Sequence, residues 1–232
     1  MPADLYLAMT GAEIASNPPL PPQIGWLTCH FSPSGPGLSN LPKAFPPHSL
    51  LILDDSTPFS DHDPEVIGQQ LKEVIAAFKT DSVLLDFQRP KDPPTESLVQ
   101  ILQSTLPCPV AAPAGYGKDG SPLFLPPCPL NQPLKEYLLP FRGREIWLEA
   151  ALDGIKLSIT EKGCSKEALT FPNMQGFLHV DDRLHCHYYI EQAKDSVIFS
   201  LQRTRDDLQA LLEEAEYLGV TRAIGLWQEL KK

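Results

Sequence analysis

The residues best placed to do chemistry lie in Asp81-Ser-Val-Leu-Leu-Asp86-Phe-Gln88-Arg-Pro90. An apolar run opened by a turn residue and closed by proline reads as a buried parallel strand. Polar side chains that appear abruptly at the carboxyl end of such a strand stand where (β/α) barrels build their sites. Asp86 and Gln88 are two residues apart, so an extended chain turns both to one face. A carboxylate there can hold a proton or orient a ligand. An amide can donate a hydrogen bond but cannot deliver a proton.

Other groups of suitable type occur at comparable places. Asp54-Asp55 closes the run Ser49–Leu53 and could supply a second carboxylate, or Asp54 or Asp55 could simply begin the turn before Pro58; Asp55 is the candidate of the two. Glu149, within Trp147-Leu-Glu-Ala, is an acid with a raised pKa if it faces inward and a solvated side chain if it faces outward. His30 ends an apolar run and is either a pocket group or a satisfied structural histidine. Tyr116 can stack on a ligand or serve as an ordinary loop aromatic. His185-Cys-His187 sets two imidazoles on one strand face, a spacing compatible with a metal. No third ligand is nearby, so an exposed hairpin face is the simpler reading and no metal is expected. Glycine-rich phosphate cradles and the nucleophile elbow of serine hydrolases are absent, so no cofactor is expected.

The elements that position these groups follow from periodicity. Leu5–Met9, Gly25–Phe31, Ser49–Asp55 and Cys108–Pro113 read as further strands, with Ser32–Pro47 as a long loop. Asp63-Pro64-Glu65 starts a helix, with an Asp cap and proline at the first helical position. Val66, Ile67, Gln70, Leu71, Val74, Ile75 and Phe78 share its one face. Thr95 is expected to cap a second helix with Leu98, Ile101 and Leu102 inward. Pro133–Phe141 is a short helical stretch and Arg144–Leu152 a strand. Asp153-Gly154 carries a two-residue hairpin signal before Ile155–Ile159. Glu161–Asp182 has no clear assignment. Leu184–Gln192 and Ser196–Gln202 read as strands around a tight turn. Thr204-x-x-Asp207 is a capping box for a helix that runs to Gly219, and Thr221–Trp227 is a last strand.

Strands alternating with helices imply a parallel sheet. The expected fold is α/β, a closed or nearly closed (β/α)8 TIM-barrel-like domain over residues 1–232, with a β-rich insertion at about 153–195. An open doubly wound sheet is the rival. At 232 residues, 42% hydrophobic and 21% charged, the chain is an ordinary globular one without internal repeats. A formal net charge of −10 argues against a nucleic-acid surface. The 25 prolines, roughly twice the usual share of about 5%, mark stiff loops. Five scattered cysteines without Cys-x-x-Cys favour free thiols in a reducing compartment. No signal peptide is visible at the amino terminus, and no apolar run approaches the ~18 residues of a membrane span. The expectation is a cytoplasmic chain with no membrane or nucleic-acid partner.

Asp81-x-x-Leu84-x-Asp86-x-Gln88, followed by Arg89-Pro90, resembles the strand of glycoside hydrolase family 18. That family, which includes chitinases and spore-cortex lytic enzymes, carries Asp-x-x-Asp-x-Asp-x-Glu there. Arg205-Asp-Asp-Leu…Ala215-Glu-Tyr-Leu-Gly219…Gly225-Leu-Trp227 is similar to its last helix and strand. The resemblance implies that Asp81, Asp86 and Trp227 belong to a sugar site, Trp227 as its floor, with Tyr116 and His30 as further candidates to face it. In the family the terminal Glu protonates the leaving oxygen while the substrate's N-acetyl group attacks, oriented by the neighbouring Asp. Here that position is Gln88, and the second Asp is Leu84. Loss of a general acid costs about 10²–10⁴-fold.

Three readings follow. One is a catalytically degenerate relative that binds a glycan or muropeptide-like ligand through Asp86, Gln88, Tyr116 and Trp227. Another is a working hydrolase in which Asp55 or Glu149 replaces the missing acid. The last is a scaffold barrel with a vestigial cleft.

Overall fold

The computed structural model describes residues 4–16, 19–59, 62–116, 119–169 and 179–231. The chain runs through β1 (Asp4–Met9), α1 (Gly11–Ser16), β2 (Ile24–Phe31), β3 (Leu38–Ser39), β4 (Leu50–Asp54), α2 (Pro64–Phe78), β5 (Ser82–Asp86), α3 (Pro93–Thr105), β6 (Val110–Pro113), β7 (Leu123–Leu125), α4 (Leu134–Leu138) and β8 (Ile146–Ala150). Five strands follow: β9 (Gly154–Thr160), β10 (Gly163–Ala168), β11 (His179–Asp181), β12 (Cys186–Ala193) and β13 (Ser196–Gln202). Then α5 (Arg205–Tyr217), β14 (Val220–Leu226) and α6 (Trp227–Leu230) complete the chain.

Eight strands pair in parallel in the order β1-β14-β8-β7-β6-β5-β4-β2, and β2 pairs back onto β1. The sheet is therefore a closed (β/α)8 TIM-barrel-like fold, and the open-sheet alternative fails. Closure removes every free edge except where β3 adds antiparallel to β2.

Alternation along the strands divides the core. Tyr6, Ile52, Leu84, Phe124, Trp147 and Ile224 fill the barrel's interior, all of them from barrel strands. The residues between them pack outward on α2 and α3 or on α4 and α5. Full burial of each such apolar side chain contributes about 1.5–3 kcal/mol, which is why the two-sided apolar strands close rather than splay. Gly25 fits this interior because a β-carbon there would stand 2.9 Å from Ile52 Cδ1. At the amino-terminal end of the strands the interior is plugged by Arg222. Its guanidinium lies 4.6 Å from the Trp147 ring centroid and 5.4 Å from that of Tyr6, and it bonds the Ser82 hydroxyl.

Helix starts follow side-chain chemistry. The Asp63 carboxylate accepts from the Glu65 N–H at 2.8 Å, as expected. The second helix begins earlier than Thr95: Asp92 is its cap and accepts from the Thr95 N–H at 2.8 Å, with Pro93 and Pro94 opening the first turn. The predicted Thr204–Asp207 capping box is present. No helix among the described residues is long and apolar enough to cross a membrane.

The inserted sheet has the order β10-β9-β13-β12-β11, all antiparallel. The hairpin expected at Asp153-Gly154 does not form. Both edges of β8 are taken by β7 and β14, so β9 has to leave the barrel and pair elsewhere. Lys194 and Asp195 do make the tight turn between β12 and β13. The unassigned stretch holds β10 and β11, residues 170–178 lying outside the described set. The sheet extends to Gln202, beyond the predicted limit near 195.

Its attachment to the barrel is polar as well as apolar. Arg203, 1% exposed, donates from Nη1 to the Cys128 carbonyl at 3.1 Å and from Nε to the His185 carbonyl at 3.3 Å. The two histidines predicted on an exposed hairpin face instead meet α5. His185 Nε2 lies 2.5 Å from Glu214 Oε2, and His187 Nδ1 lies 2.7 Å from Asp207 Oδ2. Among the described residues no group of three or more His, Cys, Asp or Glu could hold a metal ion.

Candidate functional site

Register places the carboxyl ends of β2, β4 and β5 side by side. His30 pairs with Asp54, and Asp54 with Asp86, on strands about 4.8 Å apart. Asp54 follows Ile52 by two residues and Asp86 follows Leu84 by two, so both continue the inward-facing series. A cleft of about 340 Å³ opens there, lined by Asp54, Asp55, Ser56, Asp86, Gln88 and Arg89.

Within it the Gln88 amide donates from Nε2 to Asp86 Oδ1 at 3.4 Å. Burial raises the Asp86 pKa above the ordinary carboxylate range; the Gln88 bond opposes this, and the negative charges of Asp54 and Asp55 add to it. Gln88 itself is exposed at the cleft, available to a ligand.

Asp55 belongs to the frame of this cleft. It is 6% exposed and faces away from the barrel axis. Its Oδ1 accepts from the Gln88 N–H at 3.0 Å and its Oδ2 from the Arg89 N–H at 2.8 Å. Arg89 reciprocates, donating from Nε to the Asp55 carbonyl at 2.6 Å and from Nη2 to the Ser56 carbonyl at 2.8 Å. With both oxygens committed to backbone donors, Asp55 holds the β5 exit in place and is not a spare acid. The inward carboxylate is its neighbour Asp54, whose Oδ1 also accepts from the Ser56 N–H at 2.8 Å.

Glu149 follows the inward Trp147 by two residues and is half-buried near the end of β8. Burial pushes its carboxyl up to about 7, helped by the negative charges of Asp86, Asp153 and Glu229. The inward reading of Glu149 is thus the one realised. The native chain keeps this proton where the unfolded chain has lost it, so stability falls between pH ~4.5 and ~7 and stays lower above. Glu149→Gln is expected to melt higher than the parent at pH 8, by on the order of 2–4 °C. At pH 4 the two melting temperatures should coincide. An equal difference at both pH values would refute the assignment.

Of the remaining predicted site residues, Asp81 and Tyr116 lie away from the cleft. Asp81 precedes β5 at the amino-terminal end of the barrel, bound to His48 Nδ1 at 3.0 Å. At about 3.3 Å per residue it is roughly 16 Å from Asp86. Tyr116 is 8% exposed and packs edge-on against Phe87, centroids 6.1 Å apart, so it is a wall of the outer core and no open stacking face. Trp227 begins α6 instead of ending a strand. It is half-buried against the outer core, on the helix that packs on β1 and β14, with its indole N–H buried and without a hydrogen-bond partner among the described residues. His30 stays in the register row beside Asp54. Asp54, Ser56 and Arg89 are the lining residues that sequence reasoning left out of the site.

No family model matches the chain, and no curated protein sequence matches it. Solved structures do share its fold. A chitinase from Chromobacterium violaceum superposes with a TM-score of 0.58 at 9% identity, over 96% of this chain and 93% of that one. A GH18 chitinase from Cycas revoluta, a mutant with a glutamate-to-glutamine exchange in complex with (GlcNAc)4, gives 0.57 at 11%, over 96% and 94%. The spore cortex-lytic enzyme SleL of Bacillus megaterium gives 0.54 at 11%, over 96% and 70%.

Proposed function

From a chain with the barrel fold of the family 18 glycoside hydrolases, we propose a cleft that binds an N-acetylglucosamine-containing glycan at the carboxyl ends of β4 and β5 and cleaves it poorly. One observation carries this reading: Gln88 lines the cleft and bonds Asp86, where family members place their proton-donating Glu. An amide keeps the donor geometry a sugar oxygen needs but has no proton to transfer. The Cycas chitinase that carries a glutamate-to-glutamine exchange and holds (GlcNAc)4 supports binding by a barrel of this kind. Asp86 would accept from the sugar's amide or hydroxyl groups. The scattered cysteines support a reducing compartment, in which the ligand would be short soluble oligomers and not a polymer.

Calorimetry with (GlcNAc)4 and with muropeptides tests the reading. Saturable heat with either is expected, with affinity reduced at least about tenfold, roughly 1.4 kcal/mol, in Asp86→Ala. Absence of heat with both ligands, or an affinity indifferent to Asp86, would remove the glycan from consideration.

A second reading rests on Glu149, the one inward carboxyl pushed up to about 7 and so suited to general acid work near neutrality. Hydrolysis of a chromogenic chito-oligomer by the parent chain, abolished by Glu149→Gln, would favour it.

A further inference from the structure

The opposite end of the barrel carries a second concavity. It lies where α4 and the turn Leu139–Phe141 lead into β8 and where α5 ends, with a volume of about 410 Å³. Ile146, the first residue of β8, forms part of its floor, three residues before Glu149 on the strand, so it is not an extension of the cleft. Leu138, Phe141 and Leu218 supply the rest of an apolar wall.

The rim is cationic. Lys135, Arg142 and Arg144 converge on it, and no carboxylate among the described residues lines it. Arg144 is fixed there by its Nη2 bond to the Ser121 carbonyl at 3.1 Å, and its Nη1 lies 3.7 Å from Asp119 Oδ1. Lys135 and Arg142 have no ion pair among the described residues. The nearest acids in sequence are otherwise engaged: Glu136 Oε1 lies 3.9 Å from Arg183, and Glu145 accepts from the Trp147 indole at 3.0 Å. This concentration stands out in a chain of net charge −10. The apolar surface also continues past the cavity, with Leu139 64% exposed at its edge and Tyr217 90% exposed beside Leu218.

We infer that this pocket docks an acidic peptide segment of a partner protein, with an apolar side chain of that segment seated between Leu138, Phe141 and Leu218. Charge complementarity selects the occupant. An acidic segment is repelled by the rest of this chain and attracted only where cations cluster. Lys135 and Arg142, on either side of the mouth, match two or more carboxylates of a peptide better than the single head of a fatty acid. The exposed Leu139 and Tyr217 give a flanking surface that a small ligand would leave uncovered, whereas a peptide would cover it. A buried apolar anchor ringed by polar contacts is the usual arrangement of such interfaces.

Fluorescence anisotropy on the intact chain tests this with a short fluorescein-labelled peptide of aspartates and glutamates around a central leucine–phenylalanine pair. Saturable binding is expected, weakened by added salt. Arg142→Glu and Leu139→Asp should each weaken it about tenfold or more. Both side chains are exposed, and Lys135→Glu gives a third variant if either fails to fold. Equal affinity for a peptide with serines at the centre would mean charge attraction alone and overturn the proposal. So would absence of binding, indifference to all three substitutions, or binding of dodecanoate in place of the peptide.

Discussion

The Asp55→Ala chain is expected to lose about 3–5 kcal/mol of stability and to melt roughly 6–15 °C below the parent. Two charge-assisted bonds disappear at once, those from the Gln88 and Arg89 N–H groups. The Arg89 side-chain bonds to the Asp55 and Ser56 backbone carbonyls survive the exchange, so the loss is confined to the two carboxylate bonds. Asp55→Asn should fall between, because an amide keeps a single accepting oxygen. Ligand binding should weaken in parallel as the β5 exit relaxes. A proton-donating carboxyl would behave in the opposite way, with Asn leaving the melting temperature intact while hydrolysis vanished. Thermal melts of both variants beside a chromogenic assay separate the two roles, and an unshifted melt for Asp55→Ala would contradict the framing role.

Gln88→Glu is expected to raise hydrolysis of a chromogenic N-acetylglucosamine oligomer about 10²-fold over the parent, the low end of what a general acid supplies. The position already lines the cleft and touches Asp86, so the new carboxyl inherits the geometry. On the family 18 reading proposed above, the gain should stop near that value because Leu84, 1% exposed in the barrel interior, takes the place of that motif's further Asp. Changing Leu84 to Asp in addition would bury a charge beside Ile52 and Trp147 and destabilise the fold. Unchanged turnover in Gln88→Glu, with binding retained, would mean that position 88 cannot reach the scissile oxygen.

How far these roles could be read in advance depended on the range of the forces involved. Asp63-Pro64 was legible because a cap and a proline act within one turn. Thr10 and Glu13 form the same kind of local signal, the Glu13 N–H donating to Thr10 Oγ1 at 3.2 Å. That signal preceded only six helical residues of α1, too few to show a period. β7 was invisible because three residues between prolines show no period. Asp86 and Gln88 were legible because strand alternation is local and the end of an apolar run is conspicuous. The choice between Asp54 and Asp55 was not: Leu50–Leu53 are buried on both faces, so the pattern could not show which acid faced the axis. Tyr116, Trp227 and Asp81 were misplaced for a different reason. Their surroundings, Phe87 for Tyr116, the outer core near β1 for Trp227 and His48 for Asp81, are fixed by tertiary packing, which leaves no mark on spacing.

The inserted sheet leaves and re-enters the barrel at one point. The Arg203 N–H donates to the Asp153 carbonyl at 2.9 Å, and Gly154 and Ile155 lie in register with Gln202 and Leu201. A chain that departs and returns through such a doorway adds little strain to its host, since the entropy of closing a longer excursion grows only logarithmically. Residues 154–202 can therefore lengthen, shorten or exchange their tips without re-threading the eight staves behind them. The appended sheet and the cask that carries it are free to follow separate histories.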